Sequence, residues 1–258
     1  MLRSMYAGVA GMKGFQTKLD VIGNNIANVN TIGYKKSTIN FQDLLSQNLS
    51  DSGVNPMQVG LGSATSTINV VHTAGPSMST GVGTDLAILG DGFFVVQKPD
   101  SEEQYLTRAG NFVANAAGDL VTSQGYNVLN SDGNIITSLN DYDSFSINRL
   151  GEIVGKDVDG TETPIGTIGI SVPDNPSGLK KFAGSMYEMT SKADADGIDI
   201  DTVTEKKTEL GSGMIEMSNV DLTEEFTEMI IAQRGFQANS RTITTSDEIL
   251  QEVVNLKR

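Results

Sequence analysis

The chain has 258 residues, a formal charge of −14 and 38% hydrophobic residues, which is enough to bury a core in one large domain or two smaller ones. The negative charge argues against nucleic acid as a partner, because phosphates would be repelled. The absence of cysteine excludes disulfides and thiolate metal sites, and a single histidine, His72, excludes a histidine metal cluster within one chain.

The charge is distributed unevenly along the chain. Residues 1–36 carry five basic side chains and one acid, whereas residues 37–204 carry seven basic side chains and 21 acids. The acidic middle is therefore expected to face solvent. No apolar run approaches the roughly 18 residues that span a bilayer, so no membrane insertion is expected. A short apolar stretch after Arg3 is rich in glycine and stops at Lys13, so a cleavable signal peptide is not expected either.

The first predicted element is an N-terminal helix with a heptad-like apolar row. Its main row is Met5, Met12, Leu19 and Ile26, spaced by seven residues. Three glycines, Gly8, Gly11 and Gly14, lie off this row and weaken an isolated helix by roughly 1 kcal/mol each relative to alanine. Such a helix needs a partner.

Four asparagines follow in the sequence NNIANVN, at Asn24, Asn25, Asn28 and Asn30. Asparagine favours caps and turns because its amide competes for backbone hydrogen bonds. The cluster is therefore expected to end the helix, with Gly33 available for a left-handed turn. A second interpretation, that these amides also bind neighbouring molecules, is left open.

The middle of the chain reads as short strands between turn formers. Residues 46–71 are polar and glycine-rich and are predicted to be a linker or extended arm. Strands are predicted in 91–96, 111–122, 125–130, 144–155 and 164–172, separated by turns such as Asp91-Gly92, Gly118-Asp119, Asp132-Gly133, Gly151 and Asp159-Gly160. Their spacing favours a compact antiparallel β domain over 72–190, followed by a charged return linker over 191–213.

The last predicted element is a long helix from Asp221 to Leu256. Its apolar row is Leu222, Met229, Phe236, Ile243 and Leu250, again spaced by seven. Asn219 or Asp221 is the expected N-cap, and Lys257 and Arg258 place positive charge at the C-terminal end, where the helix dipole favours it. The two terminal rows are expected to pair with each other and to leave apolar edges for neighbouring molecules.

The predicted fold class is therefore α+β, with N- and C-terminal α-helices that form a coiled-coil-like core around a central antiparallel all-β domain. The predicted division is 1–45 for the N-terminal helix and its signature, 46–71 for the linker, 72–190 for the β domain, 191–213 for the return linker and 214–258 for the C-terminal helix. The residues predicted to pack between subunits are Met5, Met12, Leu19, Ile26, Asn24, Asn25, Asn28, Leu222, Met229, Phe236, Ile243 and Leu250.

No catalytic motif is present, and we expect neither an enzyme nor a cofactor. Two acidic clusters, 156–163 and 194–201, resemble calcium loops, but counting from Asp194 places Gly197 at position 4 instead of the position 6 that an EF-hand turn requires. Exposed acidic turns are the favoured interpretation, and a secreted calcium-binding adhesin remains a remote alternative. His72 has no nucleophile motif around it and is expected to be structural or exposed.

Several long motifs resemble one family. LDVIGNNIANVNTIGYKK (19–36) and EMSNVDLTEEFTEMIIAQRGFQANSRTITTSDEILQEVVNLKR (216–258) are similar to the terminal signatures of bacterial flagellar rod and hook proteins. TDLAILGDGFFVV (84–96) and YLTRAGNFVANAAGDLVTSQGYNVL (105–129) are similar to the β domain of the same family. Within the C-terminal segment, NVDL, MIIAQR, QAN and VNL resemble the hook subunit more than the distal rod subunit, although the chain is closer in length to rod proteins.

The resemblance implies a structural subunit that polymerises head to tail into a tube outside the cell membrane, with terminal helices inside and β domains outside. The expected member is the subunit of the torque-transmitting hook, and the distal rod protein is the alternative. Implied partners are other copies of the chain, the rod, hook–filament junction and hook cap proteins, and the flagellar type III export apparatus. The terminal segments are expected to be disordered in the monomer and to fold on assembly.

Overall fold

Two long helices and many short antiparallel strands make up the fold in a computed structural model that describes residues 2–50, 57–99, 101–157, 160–195, 197–205 and 208–256. Helix α1 spans Leu2–Ala27 and helix α2 spans Leu222–Asn255. The strands cluster with these helices into two compact units. The α+β class and the antiparallel pairing predicted from the sequence are confirmed.

The first unit comprises the described parts of Met1–Ala27, Ser37–Val71 and Val220–Arg258. It holds both helices and the strands β1 (Ser37–Asp43), β2 (Gln47–Ser50), β3 (Met57–Val59) and β4 (Ser63–Val70). Strands β1 and β4 form an antiparallel ribbon with a register shift after Asn40, and β2 pairs with β3. The predicted linker over 46–71 therefore contains strands. Its many threonines and serines are typical of a linker. They are equally compatible with a solvent-facing ribbon in which the partner strand comes from another part of the chain.

The second unit comprises the described parts of Asn28–Lys36 and His72–Asn219. Its strands are β5 (Ser77–Ser79), β6 (Leu86–Leu89), β7 (Phe93–Gln97), β8 (Gln104–Thr107), β9 (Phe112–Ala114), β10 (Leu120–Thr122), β11 (Asn127–Val128), β12 (Ser144–Ile147), β13 (Glu152–Lys156), β14 (Glu162–Thr167), β15 (Ile170–Ser171), β16 (Lys180–Lys181), β17 (Met186–Glu188), β18 (Glu209–Ser212) and β19 (Met214–Glu216). Short 3₁₀ turns occupy Leu139–Asp141 and Pro176–Gly178.

The main sheet of the second unit runs in the order β16-β17-β8-β7-β11-β10-β9, with β15 also paired to β7. Strands β12, β13 and β14 form a second sheet, and the pairs β6–β18 and β5–β19 complete the pattern. Apolar side chains of this unit form one buried core, which includes Leu86, Phe94, Phe112, Leu120, Val128, Ile153, Ile168 and Ile170. This unit carries the predicted β domain.

The segment predicted as a return linker, 191–213, belongs to this core. Val203 and Leu210 are completely buried, and β18 pairs with β6. The predicted C-terminal helical segment, 214–258, likewise begins with strand β19. The burial of Val203 and Leu210 was not predicted, because 191–213 has a charged composition. Isolated apolar residues between acids show no strand periodicity, and they are buried only when distant strands cover them.

Glycine turns shape the second unit as the sequence predicted. Gly92, Gly118, Gly133, Gly151 and Gly160 all have positive φ, between 77° and 134°, a region that favours glycine because it has no Cβ. Asp159, which precedes the last of these, lies outside the described residues.

The start of α2 is fixed by Asp221, whose carboxylate accepts hydrogen bonds from the backbone N–H groups of Thr223 (2.8 Å) and Glu224 (3.4 Å). Glu224 and Glu225 add negative charge to the first turn, as predicted. The other candidate cap, Asn219, instead accepts from the Lys36 N–H and donates to Thr73. Lys257 and Arg258, predicted to close the helix, lie outside the described residues.

Candidate assembly site

The two helices of the first unit pack side by side in antiparallel directions. The contacts and near approaches run in order, from Gly8 with Ile243, through Gly11 with Asn239 and Phe15 with Gly235, to Lys18 with Glu228 and Asn25 with Glu225. The residue numbers of each pair add up to nearly the same value, which is what an antiparallel register requires. The predicted pairing of the terminal helices is confirmed, whereas a coiled-coil geometry for that pair stays a prediction.

Glycines allow this close approach. A Cβ added at Gly11 would lie 2.9 Å from Oδ1 of Asn239, and one added at Gly8 would lie 3.2 Å from Cγ1 of Ile243. Asn239 is itself fixed by donating to the carbonyl of Gly235 at 2.9 Å. In the sequence these glycines lie off the apolar row of α1. Their spacing of three residues was the available signal, because small residues on one helix face let a second helix approach.

Gly235 offers a test of this seam. A Cβ there would lie 2.5 Å from Cζ of Phe15, whose ring is confined by Phe41 at a centroid distance of 6.1 Å. We expect Gly235→Ala to lower the free energy of unfolding by about 1–3 kcal/mol through overpacking, despite the better helix propensity of alanine.

The matched control is Gly23→Ala in α1, where an added Cβ meets no atom within 4 Å and should stabilise the helix by up to about 1 kcal/mol. Urea denaturation followed by circular dichroism at 222 nm compares the two variants. Stabilisation by Gly235→Ala would contradict the close approach of the helices.

A buried polar link ties the helix pair to the ribbon. Asn25 is 1% exposed, and its amide donates to the carbonyl of Ser37 at 2.9 Å and to both carboxylate oxygens of Glu225 at 3.2 Å. Its Oδ1 accepts from the N–H of Ser37 at 3.0 Å. Helix α1 ends at Ala27, within the asparagine cluster, as predicted. The side chain of Asn25 forms hydrogen bonds within its own chain that connect α1, α2 and β1.

The other residues predicted to pack between subunits occupy varied positions. Asn24 is exposed on α1, and Asn28 accepts a hydrogen bond from the hydroxyl of Thr31 at 3.1 Å. The remaining members divide into partly buried side chains (Met5, Met12, Leu19, Ile26, Met229, Ile243 and Leu250) and exposed ones (Leu222 and Phe236). Their contacts with other subunits stay a prediction.

Helix α2 also presents apolar side chains that its own chain leaves exposed. One stripe, Leu222, Phe226 and Ile230, lies near its start, and a second, Ile249, Val253 and Leu256, lies near its end. At about 100° per residue, Val253 points to the side opposite Phe226, roughly 40 Å further along the axis. Two stripes on opposite sides of one helix suit two different neighbours.

The second unit contains a buried ionic cluster built from three separate parts of the chain. The Lys35 ammonium donates to Oε1 of Glu216 at 2.5 Å and to the carbonyl of Thr73 at 2.7 Å. Arg108 donates to Oε2 of Glu216 at 3.2 Å and to the carbonyl of Gly90 at 2.8 Å. All three side chains are at most 3% exposed, and burial lowers the pKa of Lys35. We call this trio the ionic clasp.

The backbone fits closely around the clasp. Gly33, just before Lys35, adopts φ of +65° and donates its N–H to the carbonyl of Glu216 at 2.9 Å. A Cβ at Gly33 would lie 2.5 Å from the backbone nitrogen of Ala109. The left-handed turn predicted at Gly33 is confirmed. The clasp was not predicted from the sequence, because Lys35, Arg108 and Glu216 share no motif or spacing.

His72 lies beside the clasp in a mostly aromatic environment. Its ring meets those of Phe93 and Tyr187 edge-on, at centroid distances of 5.6 and 5.3 Å. Burial lowers the pKa of His72 to about 4, and the positive charges of Lys35, Arg108 and Lys181 add to the effect. Burial likewise raises the pKa of Tyr187. The neutral ring is therefore a packing element, in line with its predicted structural role.

The acidic clusters carry no further support for calcium. Asp159 and Asp196 lie outside the described residues, and among the residues that are described no group of three metal-ligating side chains comes together. Within the same part of the chain, no helix is long and apolar enough to cross a membrane.

These features define a class: an α+β structural subunit that offers unpaired helix surfaces for association. Family models agree with it. Residues 5–35 match the model of the flagella basal body rod protein, residues 87–155 that of the flagellar hook protein FlgE/F/G D1 domain, and residues 212–256 that of the flagellar basal body rod FlgEFG protein C-terminal region.

Full-length relatives point the same way. The chain is 49% identical over 266 aligned positions to the flagellar basal-body rod protein FlgG of Bacillus subtilis, and 36% identical over 271 positions to that of Borreliella burgdorferi, with all of each chain covered. It is 26% identical to the flagellar hook protein FlgE of Borreliella burgdorferi over 444 positions, again with both chains covered. The chain belongs to the flagellar rod and hook protein family, whose members are structural proteins of the flagellar axis and not enzymes.

Proposed function

We propose that this chain is a subunit of the distal rod of the flagellar basal body. The observation that carries the proposal is alignment length. The rod protein of Bacillus subtilis aligns over 266 positions, close to the 258 residues of this chain, whereas the hook protein of Borreliella burgdorferi needs 444. The hook relative thus contains long segments that this chain lacks. The hook subunit expected from short C-terminal motifs is the less favoured of the two.

In this role the terminal helices form the inner layer of a helical tube. Head-to-tail contacts that do not close produce such a polymer. The axial neighbours would be further copies, other rod proteins and the hook, and delivery would use the flagellar type III export apparatus. A coiled-coil-like arrangement of helices, including the predicted packing residues, and folding of the termini on assembly belong to the same proposal.

Location in the cell tests this function. We expect an epitope-tagged full-length chain that restores motility to be found by immunogold electron microscopy in the short straight segment of isolated hook–basal bodies. Label along the curved external segment would support the hook subunit instead. Label confined to the cell surface, away from flagella, would contradict both.

The first apolar stripe of α2 provides a molecular test. Phe226 and Ile230 are 50% and 57% exposed, so their replacement by serine should leave the monomer fold intact. Assembly would lose about 1.5–3 kcal/mol per buried side chain, and we expect the double variant to stop polymerisation as measured by sedimentation.

The control is Gln237→Ser, an exposed polar position on the same helix. It should assemble like the wild type. Normal assembly of the Phe226→Ser/Ile230→Ser variant would show that this stripe does not contribute to subunit contacts.

A further inference from the structure

Most of the second stripe of α2 lies on a stretch that extends beyond the described part of α1. Residues 251–256 are all exposed, and the antiparallel register that places Gly8 beside Ile243 carries them past Leu2, the first described residue of α1. Ile249, Val253 and Leu256 are 44%, 51% and 87% exposed. We call residues 249–256 the α2 overhang.

A groove elsewhere in the same unit has complementary properties. It lies between α1 and the β1–β4 ribbon and has a volume of about 350 Å³. Its lining consists of Ala10, Gly14, Leu44 and Ala64 together with the polar residues Lys13, Thr17, Ser63 and Thr65. Small and aliphatic side chains form most of this lining. Leu45, next to the groove in sequence, is 89% exposed. The surface of the groove is therefore mainly apolar, with three hydroxyl side chains and one lysine among its lining residues.

Charge distinguishes the overhang from the other stripe of α2. Near the first stripe, Glu228 pairs with Lys18 and Glu225 binds Asn25. Within the described part of the chain, by contrast, neither Lys13 nor Glu252 forms an ion pair. Glu252 is exposed like Val253 and lies one helical turn before the exposed Leu256. The overhang thus presents apolar side chains with a carboxylate, and the groove presents mainly apolar surface with an ammonium.

We propose that the α2 overhang of one copy binds the α1–ribbon groove of the next copy, with Glu252 beside Lys13. The inference rests on the proposed self-assembly and adds the two surfaces that meet. Because overhang and groove are different surfaces, the contact is head to tail and leaves a free groove and a free overhang at the two ends of every oligomer. Such a contact propagates instead of closing as a dimer.

Disulfide trapping tests the contact directly, because the chain contains no cysteine. In the full-length Thr65→Cys/Val253→Cys variant, oxidation of assembled protein should give a ladder of covalent dimers, trimers and larger species on a non-reducing gel. Each single variant should give no species beyond a dimer. The control pair, Val113→Cys with Val253→Cys, uses an equally exposed valine of the second unit and should give no ladder.

Charge exchange provides the second measurement. Lys13→Glu and Glu252→Lys should each raise the concentration needed for assembly about tenfold, and the double variant should restore it, because close opposite charges favour association and like charges oppose it. Lys98→Glu, at an exposed site in the second unit, should have no effect. Assembly by the trapping variant without a ladder, or no rescue by the double exchange, would overturn this contact while leaving the rod proposal intact. Failure of the wild-type chain to assemble would overturn both.

Discussion

Glu216→Gln is expected to lower the free energy of unfolding of the second unit by about 3–5 kcal/mol. The glutamate is the shared counter-charge of Lys35 and Arg108, and its Oε1 also accepts from the N–H of Gly75 at 2.8 Å. The amide would leave two buried cations without an anion. Removing one partner of a buried ion pair costs more than the intact pair contributes, since the remaining charge is poorly solvated.

The matched control is Glu188→Gln. Glu188 pairs with Lys180 at 2.8 Å, but both side chains are about half exposed, so the loss should be no more than about 1 kcal/mol. Chemical denaturation followed by tyrosine fluorescence and circular dichroism compares the two variants. Equal losses would show that the clasp contributes no more than a surface ion pair.

Acidification is expected to destabilise the second unit through His72, with a steeper fall in stability between pH 6.5 and about 4 than carboxyl groups alone would cause. The pKa of His72 is about 4 in the folded chain and near 6.5 in the unfolded one. In this window the unfolded chain binds the extra proton, so stability falls as pH falls. The loss should reach about 1–3 kcal/mol after allowance for solvent screening of a partly exposed ring.

His72→Phe separates this effect from the many carboxylates. Phenylalanine keeps the ring edges against Phe93 and Tyr187 but binds no proton, and no other histidine is present. The variant should show a flatter stability profile between pH 5 and 6.5, measured by thermal unfolding. A profile parallel to that of the wild type would contradict a lowered pKa of the partly buried His72.

The N-terminal signature, residues 19–36, contributes to the clasp as well as to the end of α1. Residues 28–36 belong to the second unit, where Lys35 meets Glu216, five residues before the cap of α2. Segments that adjoin the two terminal helices are thus fixed within one β unit. Loss of the clasp should therefore destabilise both of these segments of the second unit together.

Much of the fold could be predicted from the spacing of apolar residues and from the residues that cap helices or form turns. Seven-residue spacing predicted both helices, Asp221 was a candidate cap from its residue type, and Asp-Gly pairs marked turns whose glycines have positive φ. Signals of this kind are local, because helix caps and turns are set by residues within a few positions of each other. The ribbon over 63–70 and the buried residues Val203 and Leu210 gave no such signal, since each depends on a strand distant in sequence.

For the candidate assembly site too, some features could be predicted from the sequence and others could not. The sequence by itself determined which helix faces are apolar, that Gly33 could take a left-handed turn, and that the chain resembles flagellar axial proteins. Only the tertiary structure decided that the two helices approach closely at Gly11 and Gly235. It also decided that Asn25 forms hydrogen bonds within its own chain. The shared buried site of Lys35, Arg108 and Glu216 likewise became evident only from the tertiary structure. These pairings each join residues more than 100 positions apart in the chain. A residue's own type and spacing carry no information about which distant side chain will cover it.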